Sequence, residues 1–155
     1  MDNKKQKSAL ILASSYITGF EILKSAIVEH LENYFFDKKD YEKDVLVKGE
    51  KKFDSSCKWY LKKGIITENE LNKLKAIKNY RNTLAHELVN IMFTPDEKIN
   101  MEQLEELNFF IKKIDSFWGE MEGVDLKKDD FKSLRMIVME FIIDTTIELN
   151  RKNYS

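Results

Sequence analysis

Arg81, Asn82 and His86 are the residues of this 155-residue chain whose side chains have the clearest chemical use. An imidazole has an ordinary pKa of about 6.5, so His86 can act as a general base or a general acid near neutral pH. The guanidinium of Arg81 stays charged, and its planar fork can stabilise an anionic transition state. Asn82 can orient either group or a bound anion. Together these residues predict a site for proton transfer beside an anionic group.

Arg81 falls on the apolar side of a predicted helix. Hydrophobic residues recur at helical spacing around it, namely Leu71, Leu74, Ile77, Leu84, Leu88 and Ile91. At about 100° per residue, Arg81 lies in the middle of this apolar arc. A guanidinium buried without a partner costs several kcal/mol, so we expect it to meet an anion, carbonyl groups or an acidic side chain. An ion-paired or snorkelling structural arginine is the alternative interpretation.

Neutral polar side chains form a stripe on the opposite side of the same helix. Its members are Asn79, Asn82, His86 and Asn90. Arg81 and His86 lie about 140° apart around the helix axis, so one isolated helix cannot aim both at one point. A neighbouring helix or a second subunit must bring the two groups together.

The segment from Tyr80 to Glu87 resembles the Arg-polar-x-x-x-His signature of HEPN domains, in which the residue after Arg is usually Asn, Asp or His. The match covers the six residues from Arg81 to His86, near the end of a long helix in a small helical chain. HEPN domains are helical bundles and commonly dimers. Many are metal-independent endoribonucleases of toxin–antitoxin, abortive-infection and other phage-defence systems.

The resemblance implies that Arg81 and His86 are catalytic, with Asn82 and Asn79 in support. Cleaving RNA through its 2′-hydroxyl needs a base for that hydroxyl, an acid for the leaving 5′-oxygen and positive charge beside the phosphate. A homodimer would supply two copies of His86 to a composite cleft, and the apolar last helix is one candidate for its interface. RNA and an antitoxin or regulatory protein are the expected partners, with no cofactor and no metal.

Two features separate this chain from parts of the family. HEPN toxins controlled by nucleotidyltransferase partners commonly carry a Tyr two positions after the motif His, where this chain has Leu88. Regulation by tyrosine modification is therefore not expected.

The Arg-Asn-x-x-Ala-His segment also resembles helical regulators such as the mannitol operon repressor. The second hypothesis is thus a non-catalytic interaction module or transcriptional regulator, in which the motif side chains hold helices together.

Other candidate residues give weaker signals. Lys75 and Lys78 precede the motif and can guide an RNA backbone, although lysines on a helix are usually solvated. His30 has no cysteine or second histidine at metal-ligand spacing, so we expect a structural histidine. Cys57 shares an apolar face with Phe53 and is expected in the core. The chain has no Gly-rich phosphate cradle.

About five helices are predicted to position these residues in a single all-α domain, 1–155. The scarcity of turn residues, with five Gly and one Pro, favours long helices over sandwiches or barrels. The expected helices cover 8–35, 53–63, 67–93, 100–118 and 129–150. The segment 37–52 is so rich in charge that we expect a solvated connection with a short extended piece. The last helix is apolar in most directions around its axis, so it should be central or dimeric.

Composition limits the location and the partners of the chain. The 26 Lys and Arg residues nearly balance the 27 Asp and Glu residues, so the chain does not attract nucleic acid through its overall charge. Any anion-binding site must be formed by a local group of residues. A single cysteine excludes an internal disulfide and favours a reducing cytoplasm. No run of about 20 uninterrupted apolar residues is present, so we expect no membrane span.

Overall fold

The computed structural model describes residues 3–93, 101–128 and 130–154, and within these ranges it contains six helices and no strand. The helices are α1 Asn3–Tyr34, α2 Lys38–Asp44, α3 Lys52–Lys62, α4 Glu68–Phe93, α5 Met101–Met121 and α6 Leu134–Tyr154. The prediction of an all-α bundle is confirmed, with one helix more than expected. The sequence Thr94-Pro95-Asp96-Glu97, which predicts a break after α4, and Asn100, which predicts a cap for the following helix, lie outside the described residues.

α1 is the helix around which the others pack, because its apolar side chains reach the core in several directions. Among the long helices, α4, α5 and α6 all pack extensively on it. Its Ala13, Leu23 and Ile27 are fully buried. At Gly19 the backbone comes so near Leu107 of α5 and Met139 of α6 that an added Cβ would lie 3.0 Å from each side chain. The small residue lets three helices pack closely at this level.

The four long helices alternate in direction. α3 runs parallel to α1, since Phe53 packs on Phe20 and Tyr60 bonds the Ile27 carbonyl. α4 then returns antiparallel after the turn. Contacts between α1 and the last two helices show that α5 runs parallel to α1 and α6 antiparallel: His30–Asp115 and Gly19–Leu107 for α5, Ser15–Thr146 and Ser25–Arg135 for α6.

α4 and α6 occupy opposite sides of α1. Ser15 Oγ lies 3.0 Å from Thr146 Oγ1 of α6. Lys24 lines a pocket together with Arg81 and Asn82 of α4. Ser15 and Lys24 are nine residues apart, which corresponds to about 180° around the helix. The two outer helices therefore expose separate faces of the molecule.

The ends of α3, α4 and α5 follow their sequence signals. Gly64 has a φ of 74° and terminates α3, as its position predicts. The Thr67 hydroxyl accepts from the Glu70 N–H at 3.1 Å, and the Glu70 carboxylate accepts from the Thr67 N–H at 2.9 Å. This reciprocal pair is a capping box at the start of α4, as the Thr-x-x-Glu spacing of the two residues predicts. α5 continues through Gly119, and Gly123, with a φ of 94°, follows its end.

The segment 37–52 contains a helix instead of the expected extended piece. The side chain of Asp37 accepts from the Lys39 N–H and caps α2. Tyr41 and Val45, four residues apart, are both buried against the core. These two anchors fix the segment while its many charged residues remain in solvent, so charge content alone was a poor guide to its structure.

α6 lies at the edge of the bundle, so the prediction of a central position is wrong. Met136 and Met139 are buried, and a stripe on the other face is exposed. That stripe, the outer α6 stripe below, consists of Leu134, Ile137, Val138 and Phe141. The central helix is α1, and only the dimeric alternative for α6 remains as a prediction.

α1 is also long and apolar enough to cross a membrane by length and composition, which the sequence expectation did not allow. In the structure, 44% of its most apolar window is buried inside the bundle. The core helix of a soluble protein and an N-terminal signal sequence both meet the same criterion. Its hydropathy is therefore weak evidence for a membrane location.

Candidate functional site

Arg81 lies at the contact of α4 with α1 and has the acidic partner that its position predicts. Its Nη2 donates to Oε1 of Glu21 at 3.1 Å, and its Nη1 donates to Oδ1 of Asn82 at 3.3 Å. The guanidinium carbon lies 5.8 Å from the ring centroid of Phe20. The side chain is 29% exposed, so the charge is partly desolvated yet reachable from solvent.

One buried donor of Arg81 remains unused among the described residues. Its Nε is buried and has no hydrogen-bond partner. A buried donor left unsatisfied costs about 1–3 kcal/mol. The fold therefore uses only part of the hydrogen-bonding capacity of this guanidinium.

Arg81 and Asn82 line an open pocket of about 530 Å³ between α1, α3 and α4. The size falls in the usual range for small-ligand sites. The end of the charged segment forms one wall, through Glu50, Lys51 and Lys52. We call this cavity the Arg81 pocket. Local sequence spacing does not predict that residues from α1 and the start of α3 meet the motif.

His86 is exposed on the outer face of α4 and does not line the Arg81 pocket. Within the described part of the chain it has no hydrogen bond or ion pair. Val89 and Phe93 follow on the same face and are 66% and 59% exposed. As the angular argument predicts, a single chain leaves Arg81 and His86 pointing in different directions.

The remaining predicted residues line an adjoining pocket of about 300 Å³. Lys75, Lys78 and Asn79 contribute to it. Lys78 also reaches the Arg81 pocket, but its Nζ bonds both carboxylate oxygens of Asp54, at 2.8 and 2.6 Å. Lys75 is exposed. Asn79 therefore lines the adjoining pocket, Arg81 and Asn82 line the Arg81 pocket, and His86 lines neither.

A second polar cluster lies between α1, α5 and α6. His30 Nε2 donates to Oδ1 of Asp115 at 2.7 Å, and its ring stacks on Trp118 with centroids 5.5 Å apart. Arg135 of α6 lies 3.6 Å from the same Asp115 oxygen and also bonds Glu29 at 2.9 Å. The cluster joins α1, α5 and α6, which accounts for His30 as the structural histidine expected from sequence.

Asp115 is charged although its side chain is only 1% exposed. Burial raises the pKa of this carboxyl, but hydrogen bonds from His30 and Ser133 and the charge of Arg135 outweigh it, so the net pKa is lowered. Sequence reasoning missed this residue. The available signal was a carboxylate in the apolar stripe of α5, between Ile111 and Trp118.

His30 is too far from His86 to act with it within one chain. Glu21 and Arg81 are paired, and the two helices are antiparallel. His30 lies nine residues beyond Glu21, while His86 lies five residues beyond Arg81 in the opposite direction. At 1.5 Å per residue, about 20 Å separates the two imidazoles along the bundle axis.

Within the described residues, no three histidine, cysteine or acidic side chains form a group that could hold a metal ion. Comparison of the chain with known protein families, with curated proteins and with solved structures finds no match in any of the three. The motif on α4 and the geometry around it are thus the basis for a functional interpretation.

Proposed function

We propose that this chain is a metal-independent endoribonuclease of the HEPN type. The observation that carries the proposal is the accessibility of the motif: Arg81 and Asn82 line an open pocket, and His86 is exposed on the same helix. A motif that served only to hold helices together would be expected in a sealed interior. The all-helical fold is also compatible with that family.

The residue chemistry suits cleavage through the ribose 2′-hydroxyl. Arg81 can place its guanidinium beside the scissile phosphate and stabilise the charge that develops there. His86 can take the proton of the 2′-hydroxyl or give one to the leaving 5′-oxygen. Asn82, which already accepts from Arg81, can hold that side chain in position.

A homodimer supplies the second imidazole that one chain lacks. The exposed face of α4 bearing His86, Val89 and Phe93 is the surface that would bring two motifs together, and we call it the α4 face. The outer α6 stripe lies on the other side of α1, so it does not suit this role. We further propose a cytoplasmic toxin or phage-defence effector, restrained by an antitoxin or regulatory protein.

The alternative is a non-catalytic helical module similar to the mannitol operon repressor. One observation favours it: the bond between Arg81 and Glu21 ties α4 to α1, as a structural arginine would. In this case Arg81→Ala would lower stability, whereas His86→Ala would change neither stability nor any nucleic-acid reaction.

Cleavage of mixed cellular RNA in the presence of chelator tests the proposal. We expect wild-type protein to cleave, and His86→Ala and Arg81→Ala proteins to lose about 100-fold or more, the usual contribution of a proton-transfer group or an oxyanion donor. Lys112→Ala, an exposed change on α5, is the matched control and should retain activity.

Folding must be separated from chemistry in this experiment. Arg81→Lys keeps the charge and the pairing with Glu21 while removing the planar fork, so it should remain folded and still lose activity. Thermal unfolding of each variant checks the fold. If wild-type protein leaves several RNA pools intact, or if His86→Ala cleaves at the wild-type rate, the nuclease proposal is wrong.

A further inference from the structure

The Arg81 pocket carries more positive charge than its own fold requires. Five cationic residues line it against two carboxylates. Both carboxylates are already paired, Glu21 with Arg81 and Glu50 with Lys58. The lining thus holds a local excess of positive charge in a chain whose formal net charge is −1.

The excess is concentrated on two lysines. Lys78 is held by Asp54, and Lys52 bonds Glu32 at 3.3 Å. Lys24 and Lys51 also line the pocket and are exposed, and neither has an ion pair within the described part of the chain. Lys24 lies on α1, and Lys51 is the residue before α3. Two separate parts of the chain therefore contribute a cation to the lining of one cavity.

We propose that Lys24 and Lys51 bind the backbone phosphates of a single-stranded RNA next to the one that is cleaved. The inference rests on the proposed function for the identity of the polymer, and on the charge and shape of the pocket for the contact itself. Lys52 supports the site, because its bond to Glu32 is exposed and a phosphate can compete for it. The segment 37–52 thus delivers one wall of a substrate-binding groove.

Salt dependence of binding measures this contact directly. In a His86→Ala background, which prevents cleavage, fluorescence anisotropy follows binding of a labelled 20-nucleotide RNA over a range of salt concentrations. Each phosphate contact of a single strand contributes about 0.7 to the slope of log affinity against log salt. We expect the double variant Lys24→Ala with Lys51→Ala to bind more weakly, with a slope smaller by about 1.4.

The control is a second double variant that removes equal charge elsewhere. Lys112 and Lys127 are exposed and line neither pocket described above, so replacing both with Ala should leave the slope nearly unchanged. A single-stranded DNA of the same sequence should respond to the Lys24 and Lys51 changes as RNA does, because the phosphates are shared. An effect on RNA alone would overturn the assignment to phosphate.

The experiments distinguish failure of the phosphate site from failure of the nuclease proposal. If wild-type protein cleaves no RNA but the paired lysine variant still lowers the slope, the nuclease proposal fails and the phosphate site stands. If wild-type protein cleaves RNA, the phosphate site is wrong when the Lys24→Ala, Lys51→Ala variant gives the same binding slope as the Lys112→Ala, Lys127→Ala control. In proteins that retain His86, the two double variants would then also share the same KM for RNA cleavage. Circular dichroism verifies that both double variants remain folded.

Discussion

Asp115 illustrates how one buried charge links three helices. Its carboxylate accepts from His30 of α1 and lies 3.6 Å from Arg135 of α6. Removing one member of a buried ion pair lowers stability by more than the net contribution of the pair, because the remaining charge stays buried without its partner. We expect Asp115→Ala to lower the free energy of unfolding by about 3–5 kcal/mol, as measured by urea denaturation at pH 7.

The same residue predicts how stability depends on pH. Its partners hold the pKa of Asp115 below the ordinary value of 3.8 in the folded state. The charged form therefore stabilises the fold above that pH, and the contribution is lost as the pH falls through the lower, folded-state pKa. The free energy of unfolding of wild-type protein should exceed that of Asp115→Asn at neutral pH, and this difference should shrink as the pH drops below about 4. Urea denaturation over a range of pH values measures it. An Asp144→Asn protein, changed at an exposed carboxylate, should follow the wild-type curve; a constant wild-type advantage over Asp115→Asn at all pH values would contradict this account.

Cys57 offers a second test at single-residue scale. The thiol is 2% exposed, and burial together with nearby Asp54 raises its pKa to about 12. Since the thiolate is the reactive form, folded protein should react with a thiol reagent at pH 8 far more slowly than protein in urea. Equal rates in the two states would mean that α3 opens readily and does not protect this side chain.

The start of α4 is held by the capping box, and its loss should be felt by the whole helix. Thr67→Ala removes the hydroxyl that accepts from the Glu70 N–H. We expect a cost of about 0.5–2 kcal/mol in unfolding free energy, measured by urea denaturation. Thr83→Ala is the control, because its exposed hydroxyl bonds only the Asn79 carbonyl within the same helix. If Thr67→Ala lowers the unfolding free energy no more than Thr83→Ala does, other interactions stabilise the start of α4.

Helices whose apolar residues repeat regularly were predictable from sequence. The 67–93 prediction for α4 differs from the observed Glu68–Phe93 by one residue at its start, because both the periodicity and the cap point to the same boundary. α2 was missed because two anchors, Tyr41 and Val45, are too few to form a pattern among charged residues. α6 was misplaced because an apolar sequence does not reveal which of its faces finds a partner.

The candidate site was only partly predictable for a similar reason. The motif on α4 and the need of Arg81 for an acidic partner could be inferred from one helix. The identity of that partner, Glu21, and the arrival of Lys24 and Lys51 depend on contacts across more than 25 residues of sequence. Local spacing carries no information about such contacts.

At the scale of the whole molecule, the two exposed apolar surfaces predict different dimers. A composite nuclease cleft requires association through the α4 face, so Val89→Glu should convert a dimer to a monomer in analytical ultracentrifugation. Phe141→Glu, on the outer α6 stripe, is the matched change and should leave the dimer intact. The reverse result would leave the two His86 residues on remote faces and exclude the composite cleft.

The opposite placement of α4 and α6 around α1 also determines how ligands would compete. A protein held by the outer α6 stripe would leave the Arg81 pocket uncovered, because the central helix stands between the two surfaces. Such a partner would show non-competitive behaviour toward RNA unless it changed the bundle itself. An inhibitor that acts by simple occlusion must instead cover α4 and the start of α3, and it should then protect Lys24 and Lys51 from amine-modifying reagents.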